Sequence, residues 1–137
     1  MLGISRVLET GLYVDDLDRA VAFYRDVLGL SVLEASPRLV AMDGGQATVL
    51  LLFRRGAMTQ GAQTASGWIP PHDGSGPAHV AFAIAADQVD AWEAYLTRQG
   101  VAVESRVFWE AGGRSLYFRD PDGHSIELAT PGTWPTY

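Results

Sequence analysis

Glu9, His79 and Glu127 are the residues of this chain whose types and placement suit a metal ion. Each falls on a stretch whose alternation reads as a β-strand, on the face opposite the bulky side chains. In 79–85, Val80, Phe82 and Ile84 form one face and His79, Ala81, Ala83 and Ala85 the other. In 7–14, Leu8, Leu12 and Val14 lie largely opposite Glu9, Gly11 and Tyr13; in 125–129, Ile126 and Leu128 oppose Ser125, Glu127 and Ala129. Carboxylate and imidazole are donors for divalent ions, and small neighbours leave room for an ion and a bound molecule. Taken singly, a strand Glu is usually solvated and a lone His usually satisfies a local hydrogen bond. What joins them is a shared face and a shared place in a repeat. Glu9 and His79 are 70 positions apart, nearly the repeat offset.

The elements that must position these residues recur. After the strand 7–14, Asp16 offers an N-cap, and Leu17, Ala20, Val21, Tyr24 and Leu28 follow at helical spacing up to Gly29, which suits the end of a helix. Strands are expected at 30–35, 38–43 and 47–53. The pattern returns with a strand at 79–85, a helix capped by Asp87 and ended by Gly100, and strands near 102–108, 114–119 and 124–129. Asp16 and Gly29 thus reappear 71 positions later as Asp87 and Gly100. The sequence predicts an α+β domain of two βαβββ units, about 5–53 and 78–130, whose half-sheets curl as a mixed sheet around a shared cleft. Residues 54–77, with five glycines and three prolines, read as one long loop, either mobile or functional. No glycine-rich segment runs from a strand into a helix as a dinucleotide or phosphate loop requires.

Composition narrows the classes further. Sixteen acidic residues against ten basic ones give a net charge of −6, which argues against a nucleic-acid partner. With no cysteine there is no disulfide framework, thiolate nucleophile or thiolate zinc site. No signal-peptide core and no run of apolar residues long enough to span a bilayer stands out, so the expectation is a soluble cytoplasmic protein with no membrane partner.

The segments "LYVDDLDRAVAFYRDVLGL", "GPAHVAFAI" and "GGRSLYFRDPDGHSIEL" resemble the vicinal oxygen chelate superfamily across nearly the whole chain. That group includes glyoxalase I, extradiol dioxygenases, fosfomycin-modifying enzymes and bleomycin-type resistance proteins. The resemblance implies metal ligands from the first strand of each unit and from the last strand, which here are Glu9, His79 and Glu127. Glu9 departs from the family's usual His or Gln. Two carboxylates and one imidazole suit Fe²⁺, Mn²⁺, Zn²⁺ or Ni²⁺. Glyoxalase I resembles this plan but adds an acidic ligand from the last strand of the first unit. Aligning Gly45 with Gly123 puts Val49 at that position, and a slip of two puts Leu51 there. Neither binds metal or abstracts a proton.

Tyr117, ten residues before Glu127, stands where extradiol dioxygenases and fosfomycin-modifying enzymes carry an active-site tyrosine. A phenol there can donate a hydrogen bond to bound substrate, although a core tyrosine with a satisfied hydroxyl fits the pattern equally well. His72 is the candidate for a further histidine near the metal. His124, just past the turn, reads as a turn or surface residue. Trp92 fits a helix core, whereas Trp68, Trp109 and Trp134 fall on loops or strand ends where rings commonly line ligand grooves. Trp68, Trp109, His72 and Arg119 are therefore the substrate-binding candidates. The leading expectation is a metal-dependent, dioxygenase-like enzyme acting on a small oxygenated substrate that chelates the ion. The alternatives are a glyoxalase/lyase-type or thiol-transferase enzyme, or an antibiotic-binding resistance protein. Open half-sheet edges suggest a homodimer, in which Glu9 of one copy can complete the site of another.

Overall fold

Period-two alternation and one short helix build each half of the chain. The computed structural model describes residues 1–137 and divides them into two compact units, Met1–Ser75 and Gly76–Tyr137. In the first, β1 (Glu9–Val14) leads into α1 (Leu17–Ala22), and then β2 (Val32–Ala35), β3 (Leu39–Gly45) and β4 (Thr48–Arg54) complete a sheet ordered β1-β4-β3-β2. Asp16 caps α1 by accepting the Arg19 amide at 3.1 Å. The helix widens into a π-turn over Phe23–Val27, and Gly29, at φ +77°, releases the chain. Leu12, Val14, Leu50, Leu52 and Met42 fill the back of the sheet with Ala20 and Tyr24 of the helical segment, all essentially buried. Each large side chain so buried contributes roughly 1.5–3 kcal/mol.

The second unit repeats the plan. Here β7 (His79–Ala83), α2 (Val89–Arg98), β8 (Ser105–Phe108), β9 (Arg114–Arg119) and β10 (Ser125–Ala129) give a sheet ordered β7-β10-β9-β8. Val89, Leu96, Leu116, Phe118, Ile126 and Leu128 form its core, and Trp92 is half-buried on the helix, its ring 5.5 Å from Tyr95. The expected cap at Asp87 does not form. Asp87 lies inside a 3-10 turn, Ala86–Gln88, so α2 begins two residues later with no side-chain cap.

Residues 54–77 are not one open loop. They contain a hairpin, β5 (Ala62–Thr64) with β6 (Gly67–Ile69), and the return segment is tied down. The His72 amide donates to the Met58 carbonyl at 3.1 Å, and the Gly56 amide donates to Asp73 at 3.2 Å. The Tyr13 hydroxyl and His72 Nδ1 are 2.6 Å apart. At Gly74 a Cβ would fall 2.4 Å from the Tyr13 ring, so only glycine permits this approach. The segment up to Ser75 therefore belongs to the first unit. No helix in the chain is long and apolar enough to cross a membrane.

Candidate metal centre

The front of the second sheet gathers the chemistry. β10 runs parallel to β7, pairing Ser125 with His79 and Glu127 with Ala81, and antiparallel to β9, pairing Glu127 with Tyr117 and Ala129 with Ser115. His79, Glu127, Tyr117 and Ser115 thus share one face, among Ala81, Ala83 and Ala129. His79 Nε2 lies 3.3 Å from Glu127 Oε2. The imidazole Nδ1 is 2.9 Å from the Ser125 carbonyl. A carbonyl only accepts, so Nδ1 carries the hydrogen and, in the neutral ring, Nε2 presents a bare lone pair.

Two acceptor atoms then face each other, an arrangement that a cation between them stabilises. Two neighbouring ligands at bond lengths of about 2.0–2.1 Å stand about 2.8–3.0 Å apart in an octahedral site and about 3.3–3.4 Å apart in a tetrahedral one. A ring nitrogen tied to a backbone carbonyl is also the usual outer support of a metal-ligating histidine. This donor pair fits a divalent ion. Glu127 is only 6% exposed and accepts the Ser115 hydroxyl at 2.5 Å. Burial, followed by the Glu127 carboxylate, raises Tyr117 above its usual phenolic range, while its bond with Ser115 opposes the shift. Tyr117 therefore remains a hydroxyl donor at neutral pH, its ring 6.3 Å from that of His79.

The remaining expected site residues fall as follows. Glu9 stands exposed on β1, in the first unit, on the same face as Gly11 and Tyr13. No group of three or more His, Asp or Glu side chains converges on a metal position within the chain. His72 is held in the first unit by Tyr13 and by an edge contact with Phe53, ring centres 4.6 Å apart. Arg119 is engaged, donating to both Glu104 oxygens (2.6 and 3.1 Å) and to the Gly123 carbonyl. Trp68 is exposed on the hairpin. Trp109 is 37% exposed and donates its indole N–H to Ser115 at 2.8 Å. His124 is not a surface residue: it is 1% exposed, and its Nδ1 accepts the Ala78 amide at 2.8 Å, fixing the entry to β7. Alternation along 114–119 sets Ser115 on the face of Tyr117, opposite Leu116 and Phe118, but nothing in its residue type singles it out. Its twelve-residue spacing before Glu127 places it one row from the carboxylate across an antiparallel pair, and that spacing is the available signal.

Register also decides between Val49 and Leu51. In the first unit Glu9 pairs with Val49 and Gly11 with Leu51; in the second His79 pairs with Ser125 and Ala81 with Glu127. With Glu9 equivalent to His79, Leu51 is the counterpart of Glu127. Matching turn glycines misleads because the turns differ in length. β3 and β4 are joined by Gln46-Ala47 alone, both at positive φ, whereas five residues separate β9 from β10.

The family model described as Glyoxalase/Bleomycin resistance protein/Dioxygenase superfamily matches residues 4–128. Among curated proteins, the chain is 29% identical to glutathione transferase FosA of Serratia marcescens over 117 residues, covering 85% of this chain and 74% of that one. It is 30% identical to metallothiol transferase FosB of Bacillus licheniformis over 131 residues, covering 95% and 76%. Among solved structures, lactoylglutathione lyase from Agrobacterium tumefaciens aligns with a TM-score of 0.88 at 35% identity, covering 96% of this chain and 98% of that one. The repeated βαβββ plan and these matches agree: the chain belongs to the Glyoxalase/Bleomycin resistance protein/Dioxygenase superfamily, the vicinal oxygen chelate group that its strand segments resemble.

Proposed function

We propose that this protein is a divalent-metal-dependent thiol transferase, joining glutathione or a similar small thiol to a small oxygenated electrophile that chelates the ion. Relatives named for thiol transfer and for a glutathione lyase support the thiol class over the dioxygenase-like reading first drawn from Tyr117 and an open coordination site. The observation that favours transfer over lyase chemistry is Leu51, an alkyl side chain at the register position where a fourth, proton-abstracting carboxylate would stand. In the transfer, the thiol loses its proton, sulfur bonds to the electrophilic carbon, and the displaced oxygen leaves with the C–O electron pair and takes up a proton. A bound divalent ion would hold and polarise the substrate oxygens. His79 and Glu127 would be ligands, and Tyr117 would donate its hydroxyl proton's hydrogen bond to a substrate oxygen.

The third ligand in this reading is Glu9 of the partner subunit in a homodimer. β1 and β7 each pair on one side only, leaving strand edges that a second copy can cover. Mixing Glu9→Ala with His79→Ala protein should restore metal binding to some sites through mixed dimers. Sedimentation at the mass of a single 14.8 kDa chain would remove this arrangement.

The deciding experiment supplies glutathione, a panel of small electrophiles bearing adjacent oxygens, and each of Mn²⁺, Fe²⁺, Ni²⁺ and Zn²⁺. Metal-dependent thiol loss with an adduct mass, abolished by Glu127→Ala, is the expected outcome. The 35% identity to the Agrobacterium protein favours a second reading, lactoylglutathione lyase. Rapid conversion of the glutathione–methylglyoxal adduct, without any thiol adduct from the panel, would establish that reading instead.

A further inference from the structure

Ser115 lies between the Trp109 indole and the Glu127 carboxylate on the front of the second sheet, with the Tyr117 hydroxyl bonded to both Ser115 and Glu127. Its Oγ is 2.8 Å from the Trp109 indole nitrogen and 2.5 Å from Glu127 Oε1, and the residue is 1% exposed. The direction of both bonds follows from chemistry alone. An indole N–H can only donate, so the serine oxygen must accept there, and its single hydrogen goes to the carboxylate. Oε1 is thereby occupied, and Oε2 is the oxygen turned toward His79 Nε2, 3.3 Å away. The start of this chain is itself anchored. The Trp109 amide donates to the Gly113 carbonyl at 2.8 Å and the Gly112 amide donates back to Trp109 at 2.9 Å, closing the turn. At Gly113 a Cβ would lie 2.4 Å from the Gly132 carbonyl carbon, so the turn packs where no larger residue fits.

We infer that Trp109 and Ser115 are positioning residues that hold Glu127 as a one-oxygen metal ligand, presenting Oε2 beside His79 and withholding Oε1. The inference rests on the metal reading of His79 and Glu127. It assigns Trp109 a role different from a wall of a ligand groove: its N–H fixes the serine rotor, and the serine fixes the carboxylate. Outer hydrogen bonds of this kind commonly account for about 10–100-fold in metal affinity.

The test titrates Zn²⁺ and Mn²⁺ into metal-free protein by calorimetry. Ser115→Ala should weaken binding by about 10–100-fold, Ser115→Thr should recover most of the loss, and Trp109→Phe should weaken it by about 10-fold or less. Infrared difference spectra of the Zn²⁺ form supply a second readout. The wide splitting between carboxylate stretches expected of one-oxygen coordination should narrow in Ser115→Ala, where Oε1 is free to reach the ion. Circular dichroism in chelator controls for folding, and Trp109→Phe, at a partly exposed position, provides a variant that keeps Ser115 intact. Wild-type affinity and splitting in folded Ser115→Ala would overturn the relay while leaving the metal pair standing. Unchanged metal binding in both His79→Ala and Glu127→Ala would instead remove the metal pair and the relay together.

Discussion

Glu127→Gln should stabilise the metal-free protein while abolishing its metal site. In the wild type, Glu127 Oε2 and His79 Nε2 lie 3.3 Å apart, both acceptors when the imidazole is neutral, and the carboxylate is almost fully buried. Glutamine is nearly isosteric, and its orientation is not free. Ser115 still needs an acceptor at the Oε1 position, 2.5 Å away, which places the amide NH₂ where Oε2 stood. An opposed pair of acceptors becomes a donor–acceptor hydrogen bond, and a buried charge disappears. A net gain of about 1 kcal/mol is expected from the hydrogen bond, which for a chain of this size raises Tm by about 3–5 °C. Thermal unfolding in chelator at pH 7 should show the variant melting above the wild type. With free metal at 100 times its Kd, the wild type gains about 2.7 kcal/mol by linkage and the order reverses, because the variant gains almost nothing. Glu127→Ala gives the contrast: it leaves the Ser115 hydroxyl without its acceptor and should melt below the wild type in chelator. A lower Tm for metal-free Glu127→Gln than for metal-free wild type would refute the reasoning, since it would show that the two facing atoms are not both acceptors.

Gly74→Ala forces a methyl group into the Tyr13 ring, 2.4 Å from its Cδ2, and should cost about 1–3 kcal/mol in chemical denaturation, with faster amide exchange over 56–75. Burial, then the Asp73 charge, raises Tyr13; burial, then Glu127, raises Tyr117. Both folded-state values lie above the unfolded value near 10, so their contribution to stability is complete below about pH 10 and is lost as pH rises through the folded values; a Tyr13→Phe, Tyr117→Phe protein should show a flatter alkaline decline in denaturant midpoint. Leu51→Glu places a carboxylate at the counterpart of Glu127 and should increase turnover of the glutathione–methylglyoxal adduct, measured as S-lactoylglutathione formed; no gain in a folded, metal-loaded variant would detach Leu51 from the choice of reaction.

What the sequence made legible was whatever depends on period and parity. Alternation alone put His79 and Glu127 each on the small-residue face of its own strand, and the pairing of β7, β10 and β9 brings those faces together with Tyr117 directly across from Glu127. The shared order of the two sheets follows from the repeat marked by Gly29 and Gly100, which adopt nearly the same positive φ, +77° and +74°. What failed depends on contacts that period does not encode. Asp87 had the right residue type for a cap, but a 3-10 turn delays the helix past it. His124 is polar and follows a turn, yet the amide of Ala78 gives it a partner that allows burial. The segment 54–77 read as one long loop, either mobile or functional, because its glycines and prolines mark turns without revealing that Tyr13, His72 and Gly74 lock it to β1. The link from Trp109, expected at a ligand groove, through Ser115 to Glu127 escaped for the same reason: a hydrogen-bonded relay across neighbouring strands has no signature in either strand alone.

The two units show how far one plan can diverge in chemistry. Their strands share order and pairing sense, so each offers equivalent places on its first and last strands. In the second unit these places hold His79 and Glu127, flanked by Tyr117 and Ser115. In the first they hold Glu9 and Leu51, and the residue across from Leu51 on β3 is Ala41. The second unit thus gathers two candidate ligands together with hydrogen-bonding supports, while the first carries the exposed carboxylates Glu9 and Asp43 on either side of Val49 and no polar partner directly across from Leu51 on β3. Such an asymmetry suits a three-ligand centre better than a four-ligand one, because a carboxylate at position 51 would need donors of the kind Ser115 and Tyr117 provide for Glu127, and Leu39 and Ala41 provide none. On the proposed reading, the choice between lyase and transfer chemistry in this chain turns less on the fold than on the missing acid at position 51 and the missing neighbours to support one.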